Sequence, residues 1–225
     1  MKSTRRWFLK DKNKIGVLVS GGGTNLQSII DSIHLGECNA SIECVISNVA
    51  DVYALTRADK ANIACHVISH KDFSNRAEFE RALIKKLANY DVDMIVLAGF
   101  MRVLEPTFIS HYPGRILNIH PSLLPKYSGL NTHQRSLENG DSSHGCSVHF
   151  ATTELDGGPV ILQASVPILK NDDIGILAKR VLEKEHIIYP KCVEWLCEDR
   201  IYYKDGCAYF DNERLSAPLQ LEQTT

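Results

Sequence analysis

Residues 15–27 read IGVLVSGGGTNLQ: a short apolar run, Ile15 to Val19, that passes through Ser20 and three glycines into a helical pattern starting near Asn25. A strand that ends on glycines and continues as a helix opens a βα unit, in which successive strands lie parallel and the crossovers are right-handed. The alternation repeats downstream. Strands are expected over 42–47 (IECVIS), 64–68 and 93–98 (DMIVLA), with helices over about 25–35, 52–61 and 75–89 between them. Asn75 followed by Glu78 resembles a capping box, and Pro106 suits the first turn of a short helix, 106–112, that Pro113-Gly114 stops. A strand over 115–119 (RILNI), a proline-bearing loop from Pro121 to Gly129 and a short helix over 131–138 complete this half.

Beyond Gly140 the pattern changes. Residues 146–151 and 160–166 are strand-like and separated only by the turn Glu154-Leu155-Asp156-Gly157-Gly158-Pro159, so the two must run antiparallel. A long helix is expected over about 173–197, bent at Pro190, then a hairpin across Lys204-Asp205-Gly206 and a loose tail. The fold class is therefore α/β: a Rossmann-like, mostly parallel open sheet with helices on both faces and an antiparallel C-terminal extension of the sheet. The chain divides into a basic N-terminal extension (1–13), one domain (14–210) and a C-terminal tail (211–225). Ligands on such sheets bind beyond the carboxyl ends of the strands, here the loops after residues 19, 47, 99 and 120.

Composition narrows the class. The chain has 225 residues, 44% hydrophobic and 23% charged, which is ordinary for a globular domain and excludes disordered and collagen-like chains; no apolar run reaches the length of a membrane span. Residues 1–14 hold six basic residues and one acid, leaving 19 basic against 26 acidic residues, a net charge of −7, for the remainder. A body so acidic is a poor general binder of nucleic acid. Seven cysteines, an odd number and several within apolar runs, read as free thiols of a reducing compartment. Thr4 to Lys10 (TRRWFLK) resembles a twin-arginine export motif, but the apolar stretch after it is too short for an export signal. The expected location is the cytoplasm.

Three constellations carry chemistry. Gly21-Gly22-Gly23 ahead of a helix lets a ligand approach the backbone, and the free N–H groups of the helix start favour an anion, so a phosphate is expected at Gly23, Thr24 and Asn25. No Gly-Lys-Ser/Thr marks a triphosphate loop, Leu26 replaces the third glycine of a dinucleotide fingerprint, and Ser47-Asn48 lacks the ribose-binding acid. Asn118 and His120, two apart on a strand, leave the same face and can stabilise the oxyanion of a tetrahedral intermediate. Asp156, beside Gly157-Gly158, is the best-placed carboxylate to partner His120, and would favour its charged form. The remaining histidines suggest no role: His66 and His70 straddle a strand end, His144 and His149 flank a strand, and none has metal-ligand spacing. Cys192 and Cys197 are expected to face the core.

Taken together, IGVLVSGGGTNLQ (15–27), VLAGFMRVL (96–104), ILNIHPSLLPKY (116–127), HGCSVHFATTELDGGPVILQ (144–163) and residues 180–190 resemble the phosphoribosylglycinamide formyltransferase family. The resemblance covers residues 14–200 in order. It implies transfer of a formyl group from 10-formyltetrahydrofolate to glycinamide ribonucleotide, without a metal. It implies catalytic roles for His120, Asn118 and Asp156, ribonucleotide contacts from Gly23, Thr24, Asn25 and Glu185, and folate contacts from Arg76, Met101, Arg102, Val103, Leu104, Asn118, Thr152, Thr153, Glu154, Leu155 and Asp156. Gly22 and Thr24 depart from the family's usual Gly-x-Gly-Ser-Asn, though Thr24 keeps the hydroxyl.

Two related enzymes share the Asn118–His120 element. A formyltetrahydrofolate hydrolase normally carries a regulatory domain before its catalytic part, and a methionyl-tRNA formyltransferase a tRNA-binding domain after it; neither is expected here. A non-catalytic sugar-phosphate or folate sensor would dispense with the amide, imidazole or carboxylate, all of which are present. The partners expected are small molecules, with no nucleic acid or membrane, and the chain as a monomer or homodimer. Both substrates are anionic while the body is acidic, so their attraction must be local, from the helix start at Gly23–Asn25, Arg76, Arg102 and a cationic His120.

Overall fold

The structure is a computed structural model and describes residues 12–221. The basic extension, up to Asp11, and the last four residues lie outside the described residues. Strand β1 (Asn13–Val19) lies within an eight-stranded sheet, flanked by β2 (Ala40–Ser47) and β4 (Met94–Leu97), both parallel to it. β3 (Ala64–Val67) extends one side and β5 (Ile116–His120) the other, again parallel. β6 (Ser143–Phe150) and β7 (Val160–Pro167) then add antiparallel strands, giving the mixed sheet that the sequence pattern predicts.

Both faces are covered, which is why the central strands read as unbroken apolar runs and not as alternating ones. Ile15, Val17 and Val19 of β1, with Val45, Met94 and Val96, face one core, closed by α1 (Thr24–His34), α2 (Tyr53–Lys60) and α6 (Ile174–Cys197), with α5 (Thr132–Glu138) at its edge. Leu18, Cys44, Ile46, Ile95 and Leu97 face the other, closed by α3 (Arg76–Ala88) and α4 (Pro106–His111). Each fully buried aliphatic or aromatic side chain, such as Leu26, Phe79 or Phe108, contributes about 1.5–3 kcal/mol.

The helix starts follow local chemistry. Asn75 Oδ1 accepts from the backbone N–H of Glu78 at 3.0 Å, while the Glu78 carboxylate reaches back to Ser74 N–H at 3.3 Å. Pro106 occupies the first turn of α4, and Asp173 caps α6 through Ile176 N–H at 2.8 Å. The last helix is one 24-residue element through Pro190; Cys192 and Cys197 are buried on it, as expected.

The chain end differs from expectation. The hairpin forms, with β8 (Ile201–Lys204) and β9 (Cys207–Phe210) joined by Asp205 and Gly206 at φ 50° and 77°. The segment beyond it is not loose, however: β10 (Glu213–Arg214) pairs with β9, and β11 (Leu219–Gln220) joins the main sheet beside β7, parallel to it. Leu215, Leu219 and Leu221 pack against the larger core, and that burial holds the segment down. Among the described residues no helix is long and apolar enough to cross a membrane.

Candidate active site

β5 ends in Asn118-Ile119-His120, and antiparallel β6 places His149 opposite Asn118 and Ser147 opposite His120. Directly opposed residues share a face, so these four side chains rise on one side of the sheet. Ser147 fixes the loop that follows β5, its hydroxyl donating to Ser122 O at 2.6 Å and accepting from Leu124 N–H at 3.0 Å.

The turn 154–159 folds back over this strand pair. Asp156 adopts φ 52°, and Gly158 lies so close to the Phe150 carbonyl oxygen that any Cβ there would collide with it. The carboxylate of Asp156 accepts from Gly129 N–H at 2.8 Å, and the same oxygen lies 3.4 Å from His120 Nδ1. His120 Nε2 lies 2.9 Å from the Tyr127 carbonyl oxygen. Both ring nitrogens thus face oxygen acceptors, and only the imidazolium, with N–H at each position, satisfies both. The His120 and Asp156 side chains are 8% and 9% exposed, so their attraction is poorly screened by solvent.

His149, which sequence reasoning set aside, belongs to this group. Its Nδ1 lies 2.9 Å from the Phe150 carbonyl oxygen and its Nε2 lies 3.0 Å from Asn118 Nδ2 and 3.9 Å from Asp156 Oδ1. Burial holds its pKa below the ordinary histidine value. The neutral ring must carry its proton on Nδ1 to donate to the carbonyl, which leaves Nε2 to accept from the amide of Asn118. The second N–H of Asn118 is left for another acceptor. The spacing Ser147-x-His149 matches Asn118-x-His120, but it acquires meaning only from the register that pairs the two strands.

These groups form part of the wall of a cavity of about 780 Å³. Met101, Arg102, Val103, Leu104, Thr152, Glu154 and Leu155 line it too, with Phe100, Ile109 and Leu130 adding apolar surface. A cavity of this size, largely apolar and with Asn118, His120 and Asp156 grouped in its wall, can hold a flat heterocycle with a reacting group against those polar side chains. Arg76 and Thr153 lie outside its wall and are exposed. His133 also lines the cavity, and its ring stands edge to face with that of the buried His144, 5.1 Å away. Burial lowers the pKa of both, that of His144 to about 4.

The glycine loop stands at the tip of β1, two strands from β5 with β4 between them. Gly23 precedes α1 with φ 70°, and a Cβ on it would sit 2.6 Å from the Ala54 Cβ and 2.7 Å from its Cα. No side chain caps α1, which leaves its first N–H groups available to an anion. Asn25 Nδ2 donates to Glu185 Oε2 at 2.7 Å, joining α1 to α6. Burial raises the Glu185 pKa, an effect the Asn25 hydrogen bond opposes. Asn25 Oδ1 is buried with no partner among the described residues, so the pair offers a carboxylate and an amide oxygen.

Residues 13–193 match the family described as formyl transferase. The chain is 50% identical over 201 residues to a phosphoribosylglycinamide formyltransferase of Escherichia coli, covering 89% of this chain and 95% of that protein. Identity to the enzyme of the same description from Haemophilus influenzae is 52% over 202 residues, 90% and 95% of the two chains. Among solved structures, the phosphoribosylglycinamide formyltransferase of Coxiella burnetii in complex with CHES aligns with a TM-score of 0.88 at 47% identity, over 92% of this chain and 99% of that one.

Proposed function

The chain belongs to the formyl transferase family, and from that premise we propose that it transfers the formyl group of 10-formyltetrahydrofolate to the amine of N1-(5-phospho-D-ribosyl)glycinamide, a step of purine biosynthesis. The observation that carries the reading is the convergence of Asn118, His120 and Asp156 on one apolar cavity, with an uncapped helix start two strands away at the tip of β1. Identity of 50% across 95% of the E. coli enzyme supports this acceptor over water.

In this reading the neutral amine attacks the formyl carbon, forming a C–N bond as the carbonyl π pair moves onto oxygen. The free N–H of Asn118 donates to that oxygen, a donor worth roughly 3–4 kcal/mol of transition-state stabilisation, and the His120 imidazolium stabilises it through its charge, with Nε2–H exchanging the Tyr127 carbonyl oxygen for it. Asp156 holds the charge state and orientation of His120, and orders the water that carries the amine proton to the departing folate nitrogen. The bond from that nitrogen to the formyl carbon then breaks with its electron pair left on nitrogen. Neither a covalent enzyme intermediate nor a metal takes part.

Gly23, Thr24 and Asn25 hold the phosphate, and Glu185 the ribose hydroxyls. The folate ring system lies against Met101, Arg102, Val103, Leu104 and the turn from Thr152 through Thr153, Glu154 and Leu155 to Asp156. Arg76, exposed at the start of α3, meets the anionic outer end of the folate. The seven free cysteines suit the reducing cytoplasm.

The test is a coupled absorbance assay of folate release with both substrates and with the ribonucleotide left out. Release that requires the ribonucleotide and matches formylated product mole for mole supports the reading. Release without the ribonucleotide identifies a hydrolase, and binding of both ligands without turnover identifies a sensor.

A further inference from the structure

We infer that Ser20 is a positioning residue that couples the two substrate loops, so that each substrate binds more tightly when the other is already in place. The inference rests on the assignment of the ribonucleotide to residues 23–25 and of the folate to the strip 101–104.

Ser20 sits at the carboxyl end of β1, between the ends of β2 and β4. Its backbone N–H donates to the Gly99 carbonyl oxygen at 3.1 Å. Its hydroxyl accepts from the backbone N–H of Met101 at 2.8 Å and donates to Asn48 Oδ1 at 2.6 Å. One hydroxyl, with one proton to give and lone pairs to accept, therefore ties together the loops after β1, β2 and β4. Asn48, only 4% exposed, is itself held by a 3.3 Å contact from its Nδ2 to His70 Nδ1, so the acceptor that orients the Ser20 hydroxyl is fixed.

The rest of the glycine loop is anchored on the opposite side. Ala54 N–H donates to the Gly21 carbonyl oxygen at 3.1 Å, and Arg57 Nε to that of Gly22 at 2.9 Å. Both of those bonds go to α2, so the side-chain connection from this loop to the folate strip runs through Ser20. Met101 itself is 68% exposed and holds its place by backbone, not by packing. An anion drawing Gly23–Asn25 into place fixes Ser20, and Ser20 in turn presents the N–H-bonded strip 101–104 to the second ligand. Coupling of this kind is reciprocal: whatever factor one ligand gains from the other, the other gains from it.

The experiment is calorimetric titration of the ribonucleotide with and without saturating tetrahydrofolate, the unformylated product, and of tetrahydrofolate with and without the ribonucleotide. In the unmodified protein the two titrations should give the same tightening, about fivefold or more. In Ser20→Ala each ligand alone should bind within about threefold of the unmodified protein, while the tightening falls below about twofold. Ser20→Thr, which keeps the hydroxyl, should restore it; Ser20→Cys, a weak hydrogen-bonding partner of similar size, reads the same loss if Ser20→Ala does not fold. A merely structural clasp would lower the melting temperature and leave the tightening factor unchanged, and that result overturns the inference, as does an unmodified protein that binds both ligands independently. Failure of the unmodified protein to bind either ligand is a distinct result, which removes the assignment of the loops and the inference with it.

Discussion

The side-chain amide of Asn118 donates to Nε2 of His149 at 3.0 Å, across the pairing of β5 and β6. Because Nδ1 of the same ring faces the Phe150 carbonyl oxygen, Nε2 is the acceptor and the Asn118 amide is held in one orientation, with its second N–H directed elsewhere. His149→Phe keeps an aromatic ring, slightly larger than imidazole, and removes the acceptor. Losing one orienting hydrogen bond costs about 1 kcal/mol, so kcat should fall by roughly fivefold while the ribonucleotide KM stays put. Steady-state kinetics check this, with circular dichroism to confirm the fold; an unchanged kcat would show that Asn118 needs no such support.

Gly23→Ala introduces a methyl where φ is 70° and where the Ala54 Cα would lie 2.7 Å away. The left-handed conformation alone costs a non-glycine residue about 1–2 kcal/mol, and the clash must displace either α2 or the loop. Ribonucleotide affinity should drop by tenfold or more, with tetrahydrofolate affinity largely kept. Separate calorimetric titrations distinguish this from a general loss of structure.

Glu185 is 7% exposed, and burial raises its pKa above the ordinary carboxylate value. The folded state therefore holds this proton to higher pH than the unfolded chain does. Stability from this group is present at low pH and is lost as pH rises from about 4.5 through the raised folded value. Glu185→Gln, which keeps an oxygen for Asn25 Nδ2, should raise the melting temperature at neutral pH by a few degrees and weaken ribonucleotide binding. Thermal unfolding at pH 7.5 and pH 5 should show the gain at the higher pH and little of it at the lower.

His144 shifts stability in the opposite sense. Its folded pKa is held near 4 by burial, against 6.5 for the free side chain, so the unfolded chain takes up the proton first as pH falls. The associated stability is fully present above pH 6.5 and is lost between 6.5 and about 4, by up to roughly 3 kcal/mol. Urea unfolding at pH 7.5 and pH 5 should show a drop that His144→Leu reduces, whatever that substitution does to stability overall.

The parallel half of the sheet was readable because β1, β2 and β4 are buried on both faces and their residues are almost uniformly apolar. Asn118 and His120 were readable for a similar local reason, being two apart on one short strand. His149 was not, because its role depends on the register that sets it opposite Asn118, and nothing within residues 143–150 states that register. The Tyr127 carbonyl facing His120 is backbone and leaves no mark in the residue types at all. Arg76 and Thr153 came only from likeness to a family, and both lie outside the cavity wall. The pairing of Leu219 with Leu162 joins segments far apart in the chain, so a tail that looks featureless is pinned by burial that only the folded sheet provides.

The pairing of His120 with Asp156 is tested most directly by kcat for His120→Ala, Asp156→Ala and the double variant, measured with both substrates saturating and each fold confirmed. The expected result is a loss of at least about 10²-fold in each single variant, with the double variant little worse than either, as for groups that act as one unit. Losses that multiply in the double variant, or single variants that turn over at the unmodified rate, would contradict it.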